Sequence, residues 1–210
     1  MNISNAFMAW VHTRFVCKIK GKSNAIIEKP PLKISNCKIR VSGRNNKIII
    51  EPGAVLRGTK IVVSGQGHTV TFGPGFTMYG GGEILVTGQD GGDVTFGPKV
   101  ELDAVLVWAV ESRNISIGED SMVGRRSDIR TSDSHPIIDL ESGQRINPPQ
   151  DVVIGERVWV GAHAAIMKGS VLEDDSIVAL GAIVSGKVEK NSIVAGIPAR
   201  KVKSGIRWTR

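Results

Sequence analysis

The sequence is poor in the residues from which most layered protein cores are built. Aromatic residues make up only 5% of the 210 residues, whereas glycine occurs 25 times. Aromatic side chains supply much of the buried area in conventional cores, and glycine is the residue of tight turns. The composition therefore disfavours a conventional layered domain and favours many short segments joined by tight turns.

Cysteine and long apolar runs are also scarce. Cys17 and Cys37 are too few for a disulfide framework, so we expect a reducing, cytoplasmic location. No stretch approaches the roughly 20 apolar residues of a membrane span, and the first residues lack the apolar centre of a signal peptide. We expect residues 1–24 to cap one end of the fold. Peripheral contact of this segment with a membrane surface is the alternative.

The net charge of +7 indicates an anionic partner. The basic residues are spread along the sequence with a mild cluster at its end, and no basic helix or aromatic-basic strand motif accompanies them. We therefore expect no nucleic acid as a partner. A small polyanionic molecule such as a phosphorylated cofactor is favoured, because a few local charges suffice to bind it.

The C-terminal half repeats every six residues. Consecutive hexads open at Ile154, Val160, Ile166, Leu172, Val178 and Val184, and the same step joins Ile117, Val123 and Ile129. A helix would need a period near 3.6 residues. Short extended segments, three to a coil of 18 residues, instead predict a triangular β-solenoid whose opening aliphatic residues point inward and stack about 4.8 Å apart. Looser repeats from Val41, Val63, Val86 and Ala109 extend it over residues 25–198.

An insertion, residues 131–151, interrupts the hexads and carries His135 in the sequence SDSHP. A solenoid wall is flat, so an added loop is needed to build a pocket. A neutral imidazole can take a proton from an alcohol and pass it to a leaving group, which predicts His135 as a general base. Among the other histidines, His68 is expected in a solvated turn, and His163 at a hexad corner is the serious rival.

The hexads, the loop SDSHPIIDLESGQRIN, the following DVVIGERVWVGA and the ending NSIVAGIPARKVK resemble the left-handed β-helix acyltransferases of the hexapeptide-repeat superfamily. Within it, the loop most resembles bacterial capsule and polysaccharide O-acetyltransferases. The resemblance implies an all-β, left-handed parallel β-helix over residues 25–210, with a basic tail at 199–210, assembled as a homotrimer. It also implies acetyl transfer from acetyl-CoA to a carbohydrate hydroxyl. No zinc-ligand spacing appears, so we predict no metal requirement.

The resemblance also assigns residues to the site. It matches His135 to the catalytic histidine of the family and Trp159 to a tryptophan that helps to orient the donor. Asp133 could orient the imidazole, bind a sugar hydroxyl or shape the loop. Small residues that admit the pantetheine arm, and basic residues after GIP, predict the acetyl-CoA site at Gly161, Ala179, Gly181, Ala182, Pro198, Arg200, Lys201 and Lys203.

Two other functions stay open at this point. One keeps the donor but acetylates a small molecule, such as an antibiotic, an amino acid or a sugar. Relatives of that kind typically carry different loops or helical N-terminal domains. The other is a non-catalytic solenoid that serves as an assembly subunit, which the presence of both His135 and Trp159 argues against.

Overall fold

A computed structural model describes residues 16–210 of the chain. Within this range all regular elements are strands, arranged in three parallel sheets that the chain visits in turn. Each strand therefore pairs with the strand three places along, one coil further. The architecture is the expected left-handed β-helix.

The first sheet contains β1 (Val16–Ile19), β4 (Lys38–Arg44), β7 (Thr59–Gln66), β10 (Gly82–Gly88), β13 (Leu106–Ala109), β16 (Asp128–Arg130), β19 (Ala165–Ile166) and β22 (Ile183–Val184). The second contains β2 (Ala25–Glu28), β5 (Lys47–Ile50), β8 (Thr69–Phe72), β11 (Asp93–Phe96), β14 (Ile115–Ile117), β17 (Val152–Ile154), β20 (Val171–Leu172) and β23 (Lys187–Val188). The third contains β3 (Lys33–Ser35), β6 (Val55–Arg57), β9 (Thr77–Tyr79), β12 (Glu101–Asp103), β15 (Met122–Val123), β18 (Trp159–Val160), β21 (Ile177–Val178), β24 (Ser192–Ala195) and β25 (Arg200–Ser204).

The residues that open the hexads form the core, as the six-residue period predicts. All nine of those from Ile117 to Val184 are at most 3% exposed. In the N-terminal coils the same column widens to hold phenylalanines. The rings of Phe72 and Phe96 stack at 5.3 Å, and Phe76 lies against both. One continuous apolar column therefore runs through the prism, and each coil is buried by its neighbours.

The glycines that follow the opening residues serve a different purpose from the one the sequence suggested. Other glycines, such as Gly169 and Gly181, do occupy corners with positive φ, which are also occupied by non-glycine residues such as Arg157 and Asp175. A Cβ on Gly161 would lie 2.6 Å from the amide nitrogen of Leu180, and one on Gly124 would lie 2.6 Å from that of Ala162. Glycine is required there because adjacent coils approach closely.

The two ends of the described chain differ. At the start, β1 pairs in parallel with β4, so sheet pairing begins within the segment 1–24 that was predicted as a cap. Residues 1–15 of that segment lie outside the described part. At the other end, β25 turns back and pairs antiparallel with β24. Residues 16–210 include no helix with the length and hydropathy needed to cross a bilayer.

Candidate functional site

The inserted loop leaves the first sheet after β16 and returns to the second sheet at β17. Its first two residues, Thr131 and Ser132, are buried against the solenoid, whereas the side chains from Asp133 to Ile138 are exposed. Ser134, the residue before His135, takes the left-handed conformation with φ of 66°. The chain therefore turns sharply at the point where it presents His135 to solvent.

Asp133 is hydrogen-bonded to residues other than His135. Its carboxylate accepts hydrogen bonds from Lys168 Nζ at 2.5 Å and from Asn147 Nδ2 at 2.8 Å. The Lys168 ammonium, followed by the Asn147 amide, holds the pKa of Asp133 below its usual range. Among the described residues no hydrogen bond joins the Asp133 and His135 side chains. The structure therefore favours the loop-shaping role of Asp133 among the three that the sequence left open.

A second ionic contact braces the loop from the side of the solenoid. Arg145 donates to both carboxylate oxygens of Glu111, at 2.6 and 3.2 Å, and Ser132 also donates to Glu111. The Arg145 hydrogen bond is the main reason that the pKa of Glu111 lies below its ordinary value. Sequence reasoning missed Glu111, Arg145, Asn147 and Lys168. The motif GQRIN contains Arg145 and Asn147, but their solenoid partners, Glu111 and Lys168, are 34 and 21 residues away along the chain.

Trp159 lies on β18, with its side chain on the outer face of the third sheet and 42% exposed. Its ring contacts that of Trp208 at 6.1 Å, and Trp208 Nε1 donates to the carbonyl of Arg157 at 2.6 Å. A groove of about 130 Å³ beside it is lined by Tyr79, Met122 and Arg125, among others. Since the loop is rooted between the first and second sheets, the root of the loop and Trp159 lie on different faces of one prism.

The small residues predicted to hold the pantetheine arm are close together, but their N–H groups are occupied. The amides of Gly161, Ala179, Gly181 and Ala182 donate to carbonyls of the chain at 2.7–3.2 Å. These N–H groups are therefore not available as donors to a ligand without breaking a backbone hydrogen bond, and the predicted donor contact of these residues stays a prediction. The Ala182 side chain is fully buried in the core. Gly161 is also buried, and its carbonyl accepts from Ser127, whereas Ala179 and Gly181 are partly exposed.

The predicted basic residues lie at the end of the solenoid. Arg200, Lys201 and Lys203 lie on β25 and are exposed, as is Pro198 just before them. Arg200 and Lys201 line a groove of about 260 Å³ with Ser185 and Lys187 on its other side. Lys201 is paired with Glu189 at 2.7 Å. The structure thus places Arg200 and Lys201 at one groove, where the Lys201 ammonium already forms an ion pair with Glu189.

Comparison with known proteins places this geometry in a family. No protein-family model matches the sequence. A polysialic acid O-acetyltransferase of Escherichia coli O1:K1 is 35% identical over 129 residues, which are 61% of this chain and 41% of that protein. The structure of the polySia-specific acetyltransferase NeuO matches with a TM-score of 0.81 and 28% identity, over 93% of this chain and 89% of NeuO. That of the polysialic acid O-acetyltransferase OatWY matches with a TM-score of 0.83 and 26% identity, over 94% and 92%.

The chain is similar to the hexapeptide-repeat acyltransferases in sequence and in fold. Within that superfamily it is similar to the capsule O-acetyltransferases. The chain spans about two fifths of the length of the Escherichia coli relative, because the sequence match to it is partial. The two structural matches, by contrast, extend over nearly the whole described solenoid, including the N-terminal coils in which the sequence resemblance is weak.

The basic residues of this chain are not evenly spread, contrary to the expectation from sequence. Residues 16–60 contain eleven lysines and arginines against two acids, a net charge of +9. In the first sheet, Lys18 is in register with Arg40, and Lys38 with Lys60; Lys22 bridges to Arg44 just beyond. We call these six residues the basic ladder. Like charges directly opposite each other destabilise a sheet, so the ladder is an energetic cost to the fold.

Carboxylates offset little of this charge. In the part of the chain that the structure describes, Lys29 and Lys60 are the members of the eleven that form ion pairs, with Glu51 and Glu83. Residues 1–15 contain no aspartate or glutamate. The ladder lies on the sheet whose strand β16 leads into the loop. Along this sheet the residues in register with Arg40 are Val62, Leu85, Trp108 and finally Arg130, which lies four coils further on.

One of the remaining histidines of this chain differs from expectation. His68 is buried and not solvated, since its ring nitrogens lie 3.0 and 3.1 Å from the carbonyls of Gly92 and Gly88. It serves the N-terminal coils and not the site. His163 is exposed at a corner with φ of 59°. No cluster of three or more potential metal ligands occurs among residues 16–210.

Proposed function

We propose that this acyltransferase moves an acetyl group from acetyl-CoA to a hydroxyl of an acidic surface polysaccharide or its precursor, with His135 as general base. The observation that carries the proposal is the inserted loop. It is braced by ionic contacts on both sides and leaves the imidazole exposed on an otherwise flat solenoid. The similarity to acetyltransferases of polysialic acid over the whole solenoid supports the same conclusion.

The chemistry follows from the exposed imidazole. In the proposed step, a ring nitrogen of His135 takes the proton of the acceptor hydroxyl while that oxygen bonds to the thioester carbonyl carbon. The tetrahedral intermediate then collapses, the carbon–sulfur bond breaks, and the imidazolium returns its proton to the CoA thiolate. The products are an O-acetyl ester and CoA, with no net gain or loss of protons. Direct attack is favoured because Cys17 and Cys37 have raised thiol pKa values, which lowers the thiolate population.

The donor would lie along the small residues of the last coils, with its phosphates toward β25. Gly161 and Ala179 follow β18 and β21 in successive coils of the third sheet, just past Trp159, and their lack of large side chains would let the pantetheine arm pass close to the wall. Arg200 and Lys203 supply exposed positive charge beyond that path. Lys201 can join them only by exchanging Glu189 for a phosphate. In this arrangement Trp159 would contact the donor.

The basic ladder supports an acidic acceptor. Its like charges face one another without carboxylates sufficient to offset them, and a bound polyanion would relieve that repulsion. A neutral or small acceptor would leave the ladder without a use. The names of the similar acetyltransferases specify an acidic polymer, polysialic acid, as their acceptor.

The site also calls for a second subunit. The loop root and Trp159 occupy different faces of one chain, and large apolar side chains are exposed on the loop, including Leu140 at 99% and Ile146 at 61%. In a homotrimer, the loop of one subunit would pack on the third sheet of its neighbour and cover these side chains. Light scattering coupled to size exclusion should give three times the 22.5 kDa chain mass; a fully active monomer would contradict the shared site.

The decisive experiment replaces the base. His135→Ala should lower kcat for acetyl transfer about 10²–10⁴-fold and leave CoA binding nearly unchanged. The assay follows release of free CoA thiol with a panel of oligosaccharides, and titration calorimetry measures CoA affinity. The matched control is His163→Asn, because asparagine tolerates the left-handed conformation at that corner.

Three outcomes are informative. A His135→Ala variant that keeps more than a tenth of the wild-type kcat would rule out the general base. Turnover of an antibiotic or amino acid in preference to every glycan would favour the small-acceptor alternative. Absence of any acetyl-CoA turnover across the panel would favour the non-catalytic assembly subunit.

A further inference from the structure

We infer that Asn147 is the positioning residue for His135, acting on its backbone and not on its imidazole. The inference rests on the proposed function of His135 as general base. It concerns a different question, namely how an exposed residue on a 21-residue insertion is held in one place.

Asn147 is the most buried polar residue in the second half of the loop, at 8% exposure. A side-chain amide can donate two hydrogen bonds and accept two, and all four are used here. Its Nδ2 donates to Asp133 Oδ2 at 2.8 Å and to the His135 carbonyl at 2.9 Å. Its Oδ1 accepts from the Ile137 amide at 2.6 Å and from Arg145 Nε at 3.3 Å.

Three of the four partners of this amide lie at His135 or within two residues of it in the sequence. One lies two residues before it, one is the residue itself and one lies two residues after it. A single planar group therefore holds the Asp133 carboxylate before the histidine and the backbone at and after it. The imidazole takes no part in these bonds, and no hydrogen bond within residues 16–210 uses its nitrogens.

Lys168 connects this arrangement to the solenoid. It lies just after β19, and its Nζ donates both to Asp133 and to the backbone carbonyl of Asn147, the latter at 3.1 Å. Its side chain is 18% exposed, so the contact is partly shielded from water. Hydrogen bonds through Lys168, Asp133 and Asn147 thus connect the backbone of His135 to a coil of the solenoid.

The test exchanges hydrogen-bond donors for acceptors. Asn147→Asp removes both donors and sets a carboxylate against that of Asp133. We expect kcat to fall on the order of 100-fold, as for a catalytic group displaced by about 1 Å, with KM for acetyl-CoA within twofold of wild type. The melting temperature should also fall, because two buried hydrogen bonds are replaced by repulsion.

The double variant Asp133→Asn with Asn147→Asp separates positioning from stability. It restores a hydrogen bond between positions 133 and 147 and keeps the charge of the cluster, but no group at 147 can donate to the His135 carbonyl. We therefore expect the melting temperature to recover while kcat stays low. A purely structural role would make the two recover together, and that result would overturn the inference.

Asn46→Asp is the matched control. Asn46 is fully buried and donates to the carbonyls of Ser42 and Gly65 in a remote coil. Its substitution should lower the melting temperature and leave kcat unchanged. An equal loss of kcat in this control, or a kcat within twofold of wild type for Asn147→Asp, would contradict the assignment.

A readout without catalysis keeps this test independent of the proposed function. In protein labelled at the histidine rings, Asn147→Asp should shift or broaden the nuclear magnetic resonance signal of His135 and leave that of His163 in place. If wild type shows no acetyl transfer, the proposed function fails while this signal still decides whether Asn147 holds the loop. An unchanged His135 signal would refute the positioning role.

Discussion

Removing positive charge from the basic ladder should weaken the anionic acceptor and stabilise the fold. The change is Lys38→Gln with Arg40→Gln, two exposed residues on β4. Their register partners, Lys60 and Lys18, lie one coil away, at the roughly 4.8 Å spacing of paired strands. Two unit charges at that distance repel by about 1 kcal/mol in water, less with salt. Glu83 offsets part of this repulsion at Lys60 but none at Lys18.

The effect on binding follows from the same charges. An exposed ion pair contributes about 0.2–1 kcal/mol, so the loss of two contacts to a polyanion should raise KM for an acidic polysaccharide roughly 2- to 30-fold. The dependence of that KM on salt should become shallower, because fewer ions are exchanged on binding. KM for acetyl-CoA should not change, since the ladder and β25 lie at opposite ends of the solenoid. The melting temperature should rise slightly.

The control variant removes the same amount of positive charge from a different face of the solenoid. Lys33→Gln with Arg57→Gln removes two exposed charges from β3 and β6 of the third sheet, in the same coils. Steady-state kinetics with an acidic polysaccharide and with neutral dextran oligomers, each at several salt concentrations, make the comparison. If both double variants raise the acceptor KM equally, net charge and not the ladder is responsible. If neither does, the acceptor does not lie on the first sheet.

Two further predictions concern the loop and the core. The loop should become more sensitive to protease as the pH falls below about 4.5, the ordinary pKa of glutamate. The depressed pKa of Glu111 gives a stabilisation that is complete above that pH and is lost as the folded-state pKa is crossed. Arg145→Gln should loosen the loop at neutral pH and reduce this pH dependence, and an unchanged cleavage profile in limited proteolysis would argue against the bracing role. Phe96→Ala should destabilise the fold by about 3–5 kcal/mol, since the ring is 1% exposed and lies between Phe72 and Phe76. Chemical denaturation measures this loss, with Tyr79→Ala at an exposed position on β9 as the control. Equal losses of unfolding free energy in the two variants would show that the aromatic column is not the main contributor.

The solenoid could be predicted from sequence because its signal is periodic and local. A six-residue step excludes a helix, and each opening aliphatic residue is buried for a reason visible within its own hexad. The reason for the following glycines was not visible there. It depends on the distance between coils, as Gly161 and Leu180 show, and that distance is a property of the stacked structure.

The site divides in the same way. His135 could be proposed from the interruption of the repeat and the chemistry of imidazole. Its supports could not, because Lys168 and Glu111 are brought to the loop by neighbouring coils, and Asn147 looks like an ordinary polar loop residue until its four hydrogen bonds are seen. Asp133 illustrates the limit of proximity in sequence, since the carboxylate two residues before the histidine turns away from it toward Lys168.

The strands shorten along the chain, from eight residues in β7 to two in β18 through β23. A two-residue strand cannot form alone, so the C-terminal coils, which carry Trp159 and the donor path, depend on an edge that is already in place. During synthesis the long N-terminal strands emerge first and can act as a template, on which each later coil is laid in register. A ribosome-stalled chain that ends near Arg130 should therefore already protect its first coils from hydrogen exchange, whereas a fragment that begins at Val152 should remain unfolded.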